Sequence, residues 1–460
     1  MKKKILLAVI IVIILISAGG AYAYFATDAF KSNKEMFLSY LFDGLKDEKL
    51  EEYIKKQENE SYTNKGTIEI TSSGEDDELD KDTAQMLNNS KITIEGKIDN
   101  AKKLAEQTVT VNLSAGINVP ITIRRDGDTI GVRSNLLSNK FIAVRNENLK
   151  SLLEKFEIDS NEVPDKIDFD KKRLTKDEIE TLKKRYVSIL NENLEEKSFN
   201  KEKIDGQTVI TLNISEEKFS EILVKILETL RDDGIISDKI SDTIDKDEFK
   251  DNINDMIDEI KDIDSSENST MCIKVYINSK ELKKAEVSLK DQDNKTIGQL
   301  EITKDKNEKD LTYAVKANGE SEDDEKVSID FKMQYKNIAE LNNVEENMEV
   351  TLITKNDEDK TKISLNYTNI NTFTTNLEIE GIDNNNATIL NDASDEELND
   401  LLMTIYEKIG FLNDEEDKYY TSNDQEDTSD EEEYTNDDDD YTTDEEKYNI
   451  DYRNSSPANQ

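Results

Sequence analysis

Hydrophobic side chains recur along most of this chain with a period of two or of about 3.6 residues, and the period switches in blocks. The first helical block runs from Asp28 to about Gln57, with Phe30, Phe37, Tyr40, Leu41 and Leu45 as its apolar positions. Period two then takes over. Ile68 and Ile70 alternate with Glu69 and Thr71, and Ile92, Ile94, Ile98, Val109, Val111 and Leu113 continue the pattern. Ile121 and Ile123 lead into Asp126-Gly127, after which Ile130 and Val132 return. Asp-Gly between alternating runs predicts a hairpin, because such turns need positive φ.

Helical spacing returns over roughly 146–262. Leu149, Leu152, Leu153 and Phe156 open this insert. Thr175 and Glu178 form a capping-box pattern ahead of Ile179, Leu182, Tyr186 and Ile189. One strand intervenes, carrying Ile210, Leu212 and Ile214. Phe219, Ile222, Leu223, Ile226 and Leu227 then mark a strongly amphipathic helix predicted to end near Gly234. Phe249, Ile253, Met256, Ile257 and Ile260 mark a weaker one.

Strands resume with Val275 and Ile277 facing Ala285, Val287 and Leu289 across a turn at Ser279-Lys280. Alternating runs follow around Val315, Phe331, Val350 and Leu365, with a polar turn at Asp305-Lys306-Asn307. Ser394 and Glu397 cap a last helix predicted to bury Leu398, Leu401, Leu402, Ile405, Tyr406 and Ile409 and to stop at Gly410.

Strict alternation gives each strand one dry and one wet face, the mark of an antiparallel sheet. The expected fold class is α+β: a large curved antiparallel β-sheet packed against several α-helices over residues 28–412. Two α+β domains divided near residue 265 are the alternative. From about Asn413 the chain is acidic and polar, and 413–460 is predicted to be a disordered tail, because it has too few apolar residues to offset the entropy of ordering.

The N-terminus adds a location. Lys2, Lys3 and Lys4 precede an uncharged, largely aliphatic stretch from Ile5 to Thr27, long enough to span a bilayer. Residues 1–27 are therefore read as a transmembrane anchor, with the lysines cytoplasmic and the rest of the chain outside the cell membrane. A cleaved signal peptide ending near Ala21-Tyr22-Ala23 is the alternative. Apolar residues continue past that site through Tyr24, Phe25 and Ala26, which favours the anchor.

Composition removes several function classes. Acids outnumber bases 104 to 60, a formal net charge of −44, which argues against a nucleic-acid partner. There is no histidine, so His-dependent triads and His-ligated zinc are excluded. The single cysteine, Cys272, sits in a strand-like run and reads as a small buried hydrophobe. No Gly-rich phosphate loop, Gly-x-Ser-x-Gly elbow, Cys-x-x-Cys or His-Glu-x-x-His is present. No catalytic, cofactor-binding or metal-ligating residue is therefore nominated, and an enzyme is not expected.

Two local patterns invite chemistry without carrying it. Asp291, Asp293 and Asn294 faintly suggest a calcium loop, but Lys295 and Thr296 stand where a ligand and the turn glycine belong, so a hairpin turn is expected. Arg124, Arg125, Arg133, Lys140 and Arg145 form a basic cluster in an acidic chain. A solvated strand face is the expectation, and reception of an acidic segment or a lipid headgroup is the functional alternative.

The stretch Ala21 to Asp28, then Lys31-Ser32-Asn33-Lys34 and Met36-Phe37, resembles membrane-anchored envelope proteins of clostridia and related Gram-positive bacteria, a family of unknown function. Phe141 to Lys150 resembles the same group. The resemblance implies an anchored envelope protein and supplies no activity or site residues. In architecture alone, the order of helix, strands, helical insert and strands is similar to the half-barrels of lipoprotein carriers, whose helices cover an apolar groove holding acyl chains. The expected function is non-catalytic binding of a protein partner or an apolar, lipid-like ligand outside the membrane. A structural spacer or surface-display element is the alternative. Phe219, Ile222, Leu223, Ile226 and Leu227 are the best candidates to line an apolar groove, with ordinary core as their simpler role.

Overall fold

The computed structural model describes residues 32–74, 88, 90–112, 118–135, 137–156, 165–166, 174–240, 245–261, 269–320, 326–355 and 360–405. The expected anchor, 1–27, and the expected disordered tail, 413–460, lie outside them. Among the described residues no helix is long and apolar enough to cross a membrane.

Among the described residues, sixteen strands form one sheet. The first block is β1 (Ser61–Gly74), β2 (Lys91–Asp99), β3 (Leu104–Asn112), β4 (Asn118–Asp126), β5 (Thr129–Ser134) and β6 (Ser138–Arg145). β7 (Phe199–Ile204) and β8 (Gln207–Ser215) lie within the helical insert. The last block is β9 (Thr270–Asn278), β10 (Glu281–Lys290), β11 (Thr296–Lys306), β12 (Leu311–Glu320), β13 (Lys326–Lys336), β14 (Asn343–Lys355), β15 (Lys360–Phe373) and the short β16 (Ala387–Ile389).

The spatial order is β16-β6-β5-β4-β3-β2-β1-β15-β14-β13-β12-β11-β10-β9-β8-β7. Strands from before and after residue 265 thus share one sheet. The join is β1 against β15, antiparallel from Tyr62–Phe373 to Gly74–Thr361. Neighbours are antiparallel throughout except β16, which runs parallel to β6 and makes the sheet mixed.

The helices are α1 (Asn33–Asp43), α2 (Glu48–Asn59), α3 (Leu149–Lys155), α4 (Lys176–Asn193), α5 (Glu216–Arg231), α6 (Gly234–Ile240), α7 (Lys246–Lys261) and α8 (395–405). The capping boxes expected at Thr175–Glu178 and Ser394–Glu397 are both formed.

Several boundaries differ from the sequence reading, each for a local reason. The single helix expected up to Gln57 is two helices. α1 ends with Gly44 as its C-cap, and the Asp47 carboxylate accepts from the Lys49 and Leu50 N–H groups at 2.9 and 3.4 Å to start α2. A Cβ at Gly44 would collide with Leu282, so the break also lets the chain approach β10 closely. Gly234 starts α6 rather than ending α5. The buried Asp233 side chain caps it, accepting from Ile235 and Ile236 N–H at 2.9 and 3.3 Å. In the first hairpin Asp126 pairs with Thr129, so the loop is Gly127-Asp128, with Gly127 at φ 58°. β7 shows no alternation because it is a mostly exposed edge strand; its signal is the turn Asp205-Gly206, where both φ values are positive. β11 extends through Asp305 and Lys306, moving that turn to Asn307–Asp310. In α8 Leu398 is buried but Leu402 is exposed, and Tyr406, Ile409 and Gly410 lie outside the described residues.

Directly paired residues of an antiparallel sheet point to the same side. Following the pairs from β8 gives Ile210, Val275, Ala285, Ile302, Val315, Phe331, Val350, Leu365 and Ile70 on one face. The next row gives Tyr313, Met333, Met348, Tyr367, Ile68, Ile92 and Val111 on the same face. One apolar face therefore crosses nearly the whole sheet.

Helices cover this face unevenly. Met36 and Phe37 of α1, Leu182, Tyr186 and Leu190 of α4, and Ile222 and Ile226 of α5 pack with Ile210, Leu212, Val275 and Ala285 in the main core. Leu223 and Leu227 of α5 turn instead to Ile253, Ile257 and Ile260 of α7. α2 lies over a smaller cluster, Tyr53 packing with Leu311, Ile338 and Val344.

Candidate functional site

Away from these helices the apolar face is less deeply covered among the described residues. Ile329 on β13, Ile123 on β4 and Ile130 on β5 are 36, 40 and 38% exposed, although each belongs to the apolar face by its pairing. Their neighbours Phe331, Val350, Leu365, Ile68, Ile92, Val109 and Ile121 are only partly buried. Among the described residues, the buried apolar clusters contain no residue of β1–β5. Exposed isoleucines within a continuous apolar face mark a candidate interaction surface.

A polar island interrupts that face beside α2. Glu346 of β14, Asn369 and Asn371 of β15, and Asn64 of β1 point to one side, adjoining Gly66 and Gly96. Tyr53 reaches down from α2 and donates to Glu346 Oε1 at 2.8 Å. Gln57 Nε2 and Asn371 Nδ2 donate to the Tyr53 oxygen at 2.9 and 2.6 Å. Asn369 Nδ2 donates to Glu346 Oε2 at 3.1 Å and to Asn371 Oδ1 at 3.0 Å. Tyr335 and Tyr367 stand beside this carboxylate. Burial first, and then the Glu346 charge, pushes each phenol up to about 12. Tyr53 and Tyr62 are raised for the same two reasons in the same order.

The residues that the sequence nominated for a groove divide. Phe219, Ile222, Leu223 and Ile226 line a wholly apolar internal void of about 60 Å³ with Phe37, Leu190 and Leu212. Leu227 faces α7 instead. A void of that size does not hold a chain-like ligand, and these residues serve as core.

The basic cluster is not a solvated strand face. Arg124 is buried on the side of the sheet opposite the apolar face, between Glu106 and Glu380, with its guanidinium 4.5 Å over the Phe141 ring. Arg133 lies over the same ring at 4.5 Å. Arg145 pairs with Glu147 and Asp392. The acidic segment that meets the cluster belongs to this chain: residues 378–392, which cross that side on the way to β16 and α8. Lys97 Nζ donates to Glu378 O at 3.2 Å, and Ile382 N–H donates to Asp126 Oδ2 at 2.9 Å. Asp291 forms the expected hairpin turn, accepting from Asp293 and Lys295 N–H at 2.9 and 2.8 Å. Cys272 is buried and unbridged.

Among the described residues no group of three or more His, Cys, Asp or Glu side chains is placed to hold a metal ion. The island was not legible in the sequence, because Glu346, Asn369 and Asn64 are ordinary polar residues until strand pairing collects them. No protein-family model matches the chain, and no curated protein matches it.

Proposed function

We propose that the chain is a membrane-anchored extracytoplasmic protein of the clostridial envelope type that binds an apolar, chain-like ligand on its open sheet face without catalysing a reaction on it. The observation that carries this reading is the continuity of the apolar rows from β13 through β15 and β1 to β5: α2 meets β13–β15 at the cluster around Tyr53, and among the described residues no residue of β1–β5 belongs to a buried apolar cluster. Such a face is wide enough for a hydrocarbon chain to lie across several strands, and burying it against that chain is favourable in proportion to area. The anchor rests on Lys2 to Lys4 and the uncharged stretch Ile5–Thr27.

The test is mass spectrometry of organic extracts from the purified full-length chain. The expected result is a co-purifying lipid-like compound whose yield falls in the double variant Ile123→Asn, Ile329→Asn while the fold is retained. A clean extract from folded protein overturns the reading and leaves the structural spacer in its place.

A further inference from the structure

The hydrogen-bonding inventory of the polar island does not close. Glu346 accepts from Tyr53, Gln57 and Asn369 at 2.8, 3.4 and 3.1 Å. Among the described residues, no lysine or arginine forms an ion pair with it. Both Nδ2 hydrogens of Asn369 are used, on Glu346 and Asn371, so its amide orientation is fixed and its Oδ1 is left facing the sheet without a donor. Yet Asn369 is only 5% exposed. Asn64 Oδ1 repeats the situation on the neighbouring strand, buried and without a donor. Each oxygen leans over a glycine of the adjacent strand. A Cβ on Gly66 would fall 3.2 Å from Asn369 Oδ1, and one on Gly96 would collide with Asn64 Oδ1. Of the other buried amide, Asn371, one Nδ2 hydrogen is bound to the Tyr53 oxygen, and neither unpaired oxygen accepts from it.

Among the described residues, the island therefore holds a carboxylate without an ion-pair partner and two buried acceptors without donors. Each such group costs free energy until a donor or a cation arrives, which is why native interiors leave few of them. Its placement shows where that group comes from. Asn369 and Asn371 are buried beneath α2, whereas Asn64, Gly96 and Gln107 are partly exposed and adjoin Ile94, Val109 and Ile98 of the open apolar rows. A chain lying on β1–β4 meets the island with its polar end.

We propose that the island recognises the ammonium headgroup of a single-chain cationic amphiphile whose hydrocarbon lies on the open rows of β1–β4. This rests on the apolar-face reading above and names its ligand class. An ammonium supplies both the missing charge and several donors at once. Tyr62 and Tyr367 lie two residues along their strands from Asn64 and Asn369, on the same face of the sheet. A carboxylate headgroup would add acceptors beside Glu346. A hydroxyl would supply one donor and no charge. A bare calcium ion needs more oxygen ligands than the island offers.

The experiment is native mass spectrometry of the full-length chain, released from a non-ionic detergent and titrated in parallel with dodecylammonium, dodecanol and dodecanoate. Dodecylammonium is expected to reach half-occupancy at a concentration about tenfold or more below that of dodecanol, as a charge-assisted hydrogen bond to a carboxylate implies. Dodecanoate is expected to bind weakest. Glu346→Gln keeps the side-chain shape and an acceptor for Tyr53, and is expected to bring half-occupancy by dodecylammonium to within about threefold of that by dodecanol. Asn64→Ala, at a partly exposed position, is expected to reduce the preference several-fold. Equal binding of all three probes, or an ammonium preference unaltered by Glu346→Gln, overturns the headgroup assignment and leaves the apolar face intact. Binding of none of the three overturns both.

Discussion

The guanidinium of Arg124 lies 4.5 Å over the ring of Phe141, and the two side chains hold the segment after β15 against the side of the sheet opposite the apolar face. Arg124 also donates to Gly381 O at 3.3 Å and pairs with Glu380 at 3.2 Å, while Phe141 packs with Ile382. The segment thus brings β16 alongside β6.

Replacing Arg124 by alanine is expected to cost about 2–4 kcal/mol. It removes a buried cation from Glu106 and strips the cover from Phe141. Most of the loss comes from the buried partners, since Glu380 is largely exposed and its pairing is screened. Lys140→Ala, at an exposed site of the same cluster, is expected to change stability by no more than about 0.5 kcal/mol. Urea unfolding measures both, and equal effects would show that the cluster is solvated after all.

Asp47 joins α2 to β11, accepting from two N–H groups of the helix and from Lys306 Nζ at 2.7 Å. Burial by itself raises its pKa, but Lys306, Lys304 and the Lys49 N–H outweigh that, and the net value lies below the ordinary 3.8. A carboxylate depressed by folding contributes stability above its unfolded pKa and loses that contribution as pH falls through the folded one. Asp47→Ala is expected to cost about 2 kcal/mol at neutral pH. The gap between wild type and variant should narrow only below about pH 3.8. Stability measured against pH for both proteins checks it; a gap that closes near pH 6 would contradict the assignment.

Glu346→Gln should be visible in the tyrosines. Burial and then the Glu346 charge disfavour the Tyr335 and Tyr367 phenolates and push both phenols up to about 12. Removing the charge leaves burial, so both values should fall part of the way toward the ordinary 10. A phenol raised by folding contributes stability in full below its unfolded pKa and loses it as pH rises. The wild type should therefore weaken between about pH 10 and pH 12. Tyrosinate absorbance during alkaline titration reports both effects.

Phe37 anchors α1 in the main core, edge-on to Phe199 at a centroid distance of 5.2 Å. It already borders an internal void, so truncation enlarges an existing cavity. Phe37→Ala is expected to cost about 3–5 kcal/mol by thermal or urea unfolding. Phe37→Leu should recover more than half of that.

The turns show how local chemistry reads through to structure. Ser279-Lys280 lies where the sequence placed it, with both residues at positive φ between paired Asn278 and Glu281. The turn after β4 falls one residue later than Asp126-Gly127, because the ladder runs on until Asp126 pairs with Thr129. β7 was silent because an exposed edge strand has no dry face to impose alternation.

Local sequence alone determined the α+β class, most strand and helix blocks, the capping boxes at Thr175 and Ser394, and the burial of Cys272. These follow from local periodicity and capping chemistry, which a chain carries in adjacent residues. Only tertiary structure decided that β1 pairs with β15, that Arg124 meets Glu380, and that Glu346, Asn369 and Asn64 gather on one face. Those partners are far apart along the chain, and register rather than composition brings them together. A shift of one residue in the β1–β15 register would send Asn64 to the opposite side and leave no island.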